Sequence, residues 1–422
     1  MALERSKNGV LLKCNDSSFF EGISVEAADL DYIESSIKKY FSDTRHHAIH
    51  NRYKMAARDY VYKEFSSFGL VAEYFEFSLP PVSTKSNFTT VIGMLKGSHF
   101  GTAYDKMIAI GAHYDTVNTT KGVDDNGSGV VTMLEVARQI TTMNRKGTKR
   151  KNTIMFAAFD LKEENCKGSE LLLDSWLEPW LFKNYGQAAE LLESHGVFIL
   201  DSVMNYNVSI KSQTSLPNMK SLFPETFSSI SKDNYKGDFL AMVYRNPTSD
   251  LVLANMFKAK WKEANREQFE LETFPLPFEE YSELPEKQQL NYRYFMKSDH
   301  ASFWDYEVPA IYLTDTYNYR GVMAACYHRP CDDASMILSD DNLKFLGKTA
   351  DVLTMTINQL SDPYQGTTVA SFQIDGKSPD SPDVIHELQE SVLVRNLASV
   401  LRVGSEYYQA HKLYHGLLTE MF

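Results

Sequence analysis

MIAIGAHYDTVNTTKGVDDNGSG, residues Met107 to Gly129, decides how the rest of the chain is read. It opens with an apolar run, Met107 to Ala112, of the length of a buried strand. His113 and Asp115 follow at alternate positions and so face the same side. A short polar loop and VDDNGSG (123–129) then lead into the apolar segment Val130 to Ala137, which reads as a helix. Open α/β sheets gather their ligands at the carboxyl ends of the strands, where a histidine and two carboxylates stand here. Imidazole and carboxylate are also the donors of hydrolytic zinc sites. HxD alone reads as a salt-bridged histidine; HxD followed by DDNGSG is a much rarer combination.

The alternation of strand and helix extends in both directions. Leu30, Ile33, Ile37, Tyr40 and Phe41, then Tyr53, Ala56, Ala57, Tyr60, Val61 and Phe65, recur at helical spacing and predict a pair of helices before Gly69. Leu70–Phe77 and Thr89–Leu95 read as strands around the Pro80-Pro81 turn. Asn144–Asn152 reads as a basic, solvated loop. Thr153–Phe159, Val197–Leu200 and Val308–Leu313 read as further buried strands, and 342–360 as a closing helix. The expected fold is α/β, a mostly parallel central sheet flanked by helices on both faces. Residues 1–24 read as a flexible lead and 25–360 as the main domain. Within it 211–297 is irregular and rich in proline and aromatic residues, with one helix around Phe257–Gln268. It is expected to be an insertion over the carboxyl edge of the sheet. The polar segment 361–422, helical from about Val384, is a C-terminal extension with no assigned place.

Of 422 residues 43% are hydrophobic and 23% charged, enough apolar material for a core. A net charge of −12 argues against nucleic acid or an anionic membrane as the main partner. No apolar run reaches the ~20 residues of a membrane helix. The first twenty residues lack the apolar stretch of a secretory signal. Acceptor sequons at Asn15, Asn87, Asn118 and Asn207 pull the other way; a fifth, at Asn126, lies inside the DDNGSG loop. Cys326 and Cys331 bracket a short loop that a disulfide could close. Together these suggest a secreted or lumenal ectodomain and leave the compartment open.

Separate strand ends offer His113, Asp125, Glu163 or Glu164, Asp201 and His328. Two histidines and three carboxylates in this distribution fit a two-zinc site with one bridging carboxylate. Such a pair, ~3.5–4 Å apart, polarises a carbonyl and generates hydroxide at neutral pH. The order HxD, DDNGSG, an acidic pair before Gly168-Ser169, a strand ending in Asp201, Ser298-Asp299-His300 and Tyr327-His328 resembles the co-catalytic zinc aminopeptidases. That family also holds glutamate carboxypeptidases, the inactive transferrin receptor and the glutaminyl cyclases. The resemblance spans about residues 25–360 and makes that stretch a zinc-peptidase-like domain.

Carried over residue by residue, it implies Asp125 as the bridging carboxylate, with His113 and Asp201 on one zinc and Glu163 and His328 on the other. It implies Asp115 behind His113, holding the ring in its ligating tautomer, and a cis Asp125–Asn126 peptide bond. It also exposes a departure. Where the family has Glu-Glu, general base then ligand, the gapless alignment from Asp160 to Gly168 has Lys162 then Glu163. A register with one deletion makes Glu163 the base and Glu164 the ligand; the gapless one keeps both anchors and is preferred. Close to two zinc ions the Lys162 ammonium would be disfavoured and its pKa lowered. It could also turn out to solvent and leave Glu164 to serve. The expected function is that of a zinc-dependent exopeptidase, an aminopeptidase first, with two zinc ions and a peptide or aminoacyl substrate. The alternatives are a metal-binding, inactive homologue serving as a receptor or binding protein, and a glutaminyl-cyclase-like acyltransferase.

Overall fold

A computed structural model of the chain describes residues 27–79, 88–264 and 268–365. The lead at 1–24 and nearly all of the C-terminal extension lie outside the described residues.

The helix pair forms as α1, Leu30–Tyr40, and α2, Asn51–Phe68. Asp29 caps α1 by accepting from the Tyr32 amide, and Gly69 ends α2 in a left-handed conformation (φ 86°) that a side chain would oppose. The strands in chain order are β1 Val71–Phe77, β2 Phe88–Leu95, β3 Met107–His113, β4 Thr148–Arg150, β5 Ile154–Phe159, β6 Ser194–Leu200, β7 Phe239–Arg245, β8 Glu270–Leu276, β9 Ala310–Thr314 and β10 Pro363–Gln365. Eight of them make one sheet in the order β1-β2-β5-β3-β6-β9-β7-β8. The pairs β5–β3, β3–β6, β6–β9 and β7–β8 are parallel, and the rest are antiparallel.

The central strands are apolar along their whole length because both faces are covered. Ile108, Ile110, Ala112, Ile154, Phe156 and Ala158 pack on one side, with α1, α2, the helix α3 (Gly129–Arg145) and the helix Asp250–Glu263. The long helix Asp340–Leu360 joins that layer. Ala109, Met155, Ala157 and Phe159 face the other side, towards Trp180, Phe223, Phe303 and Trp304.

Two segments differ from the sequence reading. Asn144–Asn152 is not a free loop: β4 pairs antiparallel with β10. Thr148 and Arg150 are buried, and the Arg150 guanidinium donates to Asn358 Oδ1 at 2.9 Å. Of the segment's basic residues Arg145, Lys146 and Lys149 are exposed and Lys151 is half-buried. The segment 211–297 is not an irregular cover either. It contributes β7 and β8 to the sheet, joined by the helix Asp250–Glu263, which starts earlier than expected. FLAMVYR of β7 is an apolar run of strand length. ELETFPL of β8 carries Pro275 and two exposed or half-exposed acidic or apolar positions because it is the edge strand, where a proline breaks no ladder.

That edge stores an electrostatic cost. Glu272 in β8 is buried; burial first, then Glu270 and Asp238, raise its carboxyl to about 7, against a lowering hydrogen bond from Ser229. A carboxyl raised on folding binds protons more tightly folded than unfolded, so stability falls as pH rises from about 4.5 to about 7. Glu272→Gln should therefore unfold at a higher temperature than the parent at pH 8. The gap should close near pH 4.5, as thermal melts at the two pH values will show; a pH-independent difference would contradict this.

Candidate metal centre

Four neighbouring strands, β5, β3, β6 and β9, run parallel and so end at one edge. His113 closes β3, Lys162-Glu163 follow β5, Asp201 follows β6, and His328 lies in the loop after β9. Asp125 comes from the wide turn Val123–Ser128 that enters α3, with a cis peptide bond to Asn126. Asn126 fixes this turn: its amide nitrogen donates to the Leu200 carbonyl (2.7 Å), and its oxygen accepts from the Gly129 and Ser202 amides (both 3.1 Å). Gly129 is required there, since a Cβ would meet Asn126 Oδ1 at 2.3 Å.

His113 Nε2 lies 3.4 Å from Asp125 Oδ1 and 3.4 Å from Asp201 Oδ1. His328 Nε2 lies 3.1 Å from Asp125 Oδ2 and 3.4 Å from Glu163 Oε1. The two oxygens of Asp125 thus face two different histidines. Donors bound at about 2.0–2.1 Å to a tetrahedral ion stand roughly 3.3 Å apart. Both Asp125 oxygens, Glu163 Oε1 and His328 Nε2 are buried without a hydrogen-bond partner, which polar atoms rarely tolerate. Spacing and orphaned donors together fit metal binding at Asp125, where His113, Asp125 and Glu163 each offer one ligand atom within 4.8 Å of the others.

Asp115 stands behind this set. Its carboxylate lies 3.3 Å from His113 Nδ1 and accepts the amides of Lys162 and Glu163, both at 3.1 Å. It therefore orients the ring and ties the β5 loop to the end of β3. Ser298 of the Ser-Asp-His motif donates to Asp201 Oδ2 at 2.7 Å, leaving Oδ1 to face His113. Asp299 accepts from Ser169 Oγ at 2.6 Å, and His300 bonds the Phe295 carbonyl at 2.7 Å, away from the donors.

The loop Asp160–Gly168 brings Glu163 to His328 and Glu164 to His46 and His47. Gly168 packs so closely that a Cβ would lie 1.9 Å from the Asp160 carbonyl oxygen. Both glutamates and Asp115 line a cavity of about 210 Å³. Lys162 does not turn out to solvent. Its side chain is 6% exposed, with Nζ 3.1 Å from Asp201 Oδ2 and 3.7 Å from both Asp125 Oδ1 and Glu163 Oε1. Among these protein groups burial works to lower its pKa, but Asp125, Asp201 and Glu163 outweigh it and hold the ammonium firmly protonated. Burial likewise opposes, and Lys162 and His113 impose, a low pKa of about 2 at Asp201.

Two supporting groups carry no sequence signal of their own. Arg45, fully buried between α1 and α2, donates to the carbonyls of Tyr114, Lys121 and Gly122 at 2.7–2.9 Å and so sets the path from His113 to Asp125. Asp332 accepts the amides of Asp124 (2.8 Å) and Asp125 (3.2 Å). Its place four residues after His328 is the one hint a sequence offers. Cys326 and Cys331 form the disulfide that closes this loop, and Thr119 Oγ1 donates to the His328 carbonyl at 2.8 Å.

Residues 90–239, which hold His113, Asp115, Asp125, Lys162, Glu163 and Asp201, match Peptidase family M28. This stretch is a Peptidase family M28 domain. Among relatives, the Escherichia coli protein YfbL is 26% identical over 279 residues, 61% of this chain and 69% of that protein. Aminopeptidase Y of Saccharomyces cerevisiae is 38% identical over 65 residues, 15% of this chain and 11% of its own length. Leucine aminopeptidase 1 of Pyrenophora tritici-repentis is 37% identical over 81 residues, 17% of this chain and 21% of its own. The chain thus spans only about a tenth to a fifth of these named aminopeptidases. LapB of Legionella pneumophila superposes with a TM-score of 0.51 at 15% identity, over 79% of this chain and 72% of that one. Glutaminyl cyclase of Porphyromonas gingivalis does so with 0.50 at 14%, over 79% and 99%. At such identities the M28 domain shares a fold with both, and the fold does not choose between them.

Asp332→Ala would leave two buried amides of the M28 turn without an acceptor, at about 1–3 kcal/mol each. Urea unfolding should show a loss of at least about 2 kcal/mol, which Asp332→Asn, keeping one acceptor oxygen, recovers in part. Equal stability of parent and Asp332→Ala would remove Asp332 from the support of the Asp125 turn.

Proposed function

We propose that the chain is a zinc-dependent exopeptidase of the aminopeptidase type that holds two zinc ions and turns over slowly, because Lys162 stands where such enzymes place a general base. The observation that supports it best is the gathering of His113, His328, Asp201 and Glu163 around Asp125, with histidine–carboxylate spacings of 3.1–3.4 Å. The M28 match and the relatives named aminopeptidases point to peptides as the substrate class. Zinc, when bound, polarises the scissile carbonyl and makes an attacking water acidic. The protein's own part is to place the donors and move the proton. His113 is oriented by Asp115 and Asp201 by Ser298, so the donors are set before any substrate arrives. Lys162 puts a long-chain amine where a carboxylate would take a proton from water, a poor geometric substitute for that base. Losing a general base forfeits ~10²–10⁴-fold in rate. The buried ion pairs of Lys162 favour a second reading, a metal-binding homologue without turnover that serves as a binding or receptor protein.

At saturating zinc, metal analysis should find two ions per chain in the parent and in Lys162→Glu. Hydrolysis of aminoacyl reporter substrates should be slow in the parent and roughly 10²-fold or more faster in Lys162→Glu. No zinc in the parent would sink the metal reading. Zinc in both with no hydrolysis by either would leave the binding-protein reading standing and refute the peptidase. Cyclisation of amino-terminal glutamine with no peptide hydrolysis would move the chain to the cyclase class.

A further inference from the structure

The Lys162 ammonium reaches no protein acceptor on the described residues other than the carboxylates of Asp201, Asp125 and Glu163, at 3.1, 3.7 and 3.7 Å. All three belong to the donor sets of the centre. The root of the side chain is fixed: the Lys162 amide donates to Asp115 Oδ1 at 3.1 Å, and its carbonyl accepts from the Cys166 amide at 2.9 Å. The chain therefore points inward by construction. An ammonium taken out of water is tolerated only when paired, and here its pairing partners are the oxygens a metal ion needs.

We infer that Lys162 is a tethered counter-cation that competes with metal ions for the carboxylates of the centre. This rests on the metal-centre reading and adds to it a control of loading. A divalent ion seated about 2 Å from these oxygens lies within a few ångströms of the ammonium, and the two repel. Metal uptake at this centre therefore includes displacing a positive charge that is covalently attached, and so present at high effective concentration. The same arrangement lets the three carboxylates stay together in the absence of metal, because Lys162 offsets their mutual repulsion. A side chain that merely fills space would not link these two effects: its removal would lower stability and leave zinc affinity unchanged or weaker.

The test strips the full chain with chelator and titrates it with zinc against a chromophoric competitor, comparing the parent with Lys162→Met, which keeps length and removes charge. The expected result is zinc binding at least tenfold tighter in Lys162→Met, with a lower unfolding temperature before zinc is added. Equal or weaker zinc affinity in Lys162→Met overturns the competition while leaving the metal centre intact. Zinc binding by neither protein overturns the metal-centre reading and this inference with it. Should Lys162→Met fail to fold without metal, the parent decides. Lysine acylation mapped by mass spectrometry should find Lys162 shielded in the stripped protein and more reactive at saturating zinc; unchanged reactivity overturns the competition.

Discussion

Three carboxylates, Asp125, Asp201 and Glu163, converge in a crevice where they are 0–10% exposed. Like charges so close and so poorly hydrated cannot persist alone. Every conspicuous feature of the centre answers that constraint. His113 and His328 stand against opposite oxygens of Asp125, Ser298 donates to Asp201, and Lys162 reaches all three carboxylates. The environment raises both imidazoles, His328 to about 9 against the opposing effect of burial, which shows how strongly the crevice demands positive charge. Lys162 supplies part of that charge from the sequence itself.

The fold reaches that constraint through topology. Four parallel strands in the order β5-β3-β6-β9 deliver four loops to one edge, and each loop carries one or two of the groups. The gathering was legible in the sequence because each buried strand is a short apolar run that stops at a charged residue: Ala112 before His113, Phe159 before Asp160, Leu200 before Asp201. The sheet's far side was harder to read. In β8 the burial pattern alternates, so ELETFPL looks polar, and Pro275 argues against a strand unless one knows it lies at an edge. β4 and β10 are three-residue strands, too short for any period to show.

Within the centre, the residues read from motifs are the ones with charged side chains at strand ends. The residues not read hold backbone. Arg45 and Asp332 act on carbonyls and amides of loops 69 or more positions away in sequence, and such pairings leave no local pattern. The position of Lys162 shows the opposite limit. Alignment located it, but neither its inward direction nor the refusal of Glu164 to take its place follows from the residue types. Both follow from Asp115, which grips the amides of Lys162 and Glu163 and fixes where their side chains start.

The two halves of the centre differ in how firmly they are held. The His113 side chain is wholly buried, with Asp115 at its second nitrogen. The His328 side chain is 33% exposed, stacked on Tyr327, and its residue is left-handed (φ 58°) in a loop closed by the Cys326–Cys331 disulfide. Burial and a fixed hydrogen-bond partner make the first half rigid and dry. Exposure leaves the second half open to solvent. Its loop is closed by the disulfide and tied to Thr119, and Asp332, which follows it, grips the turn that carries Asp125. The shared carboxylate is therefore faced from both halves, and a disturbance of the exposed loop can reach the buried histidine through Asp125 or through Glu163 and Asp115.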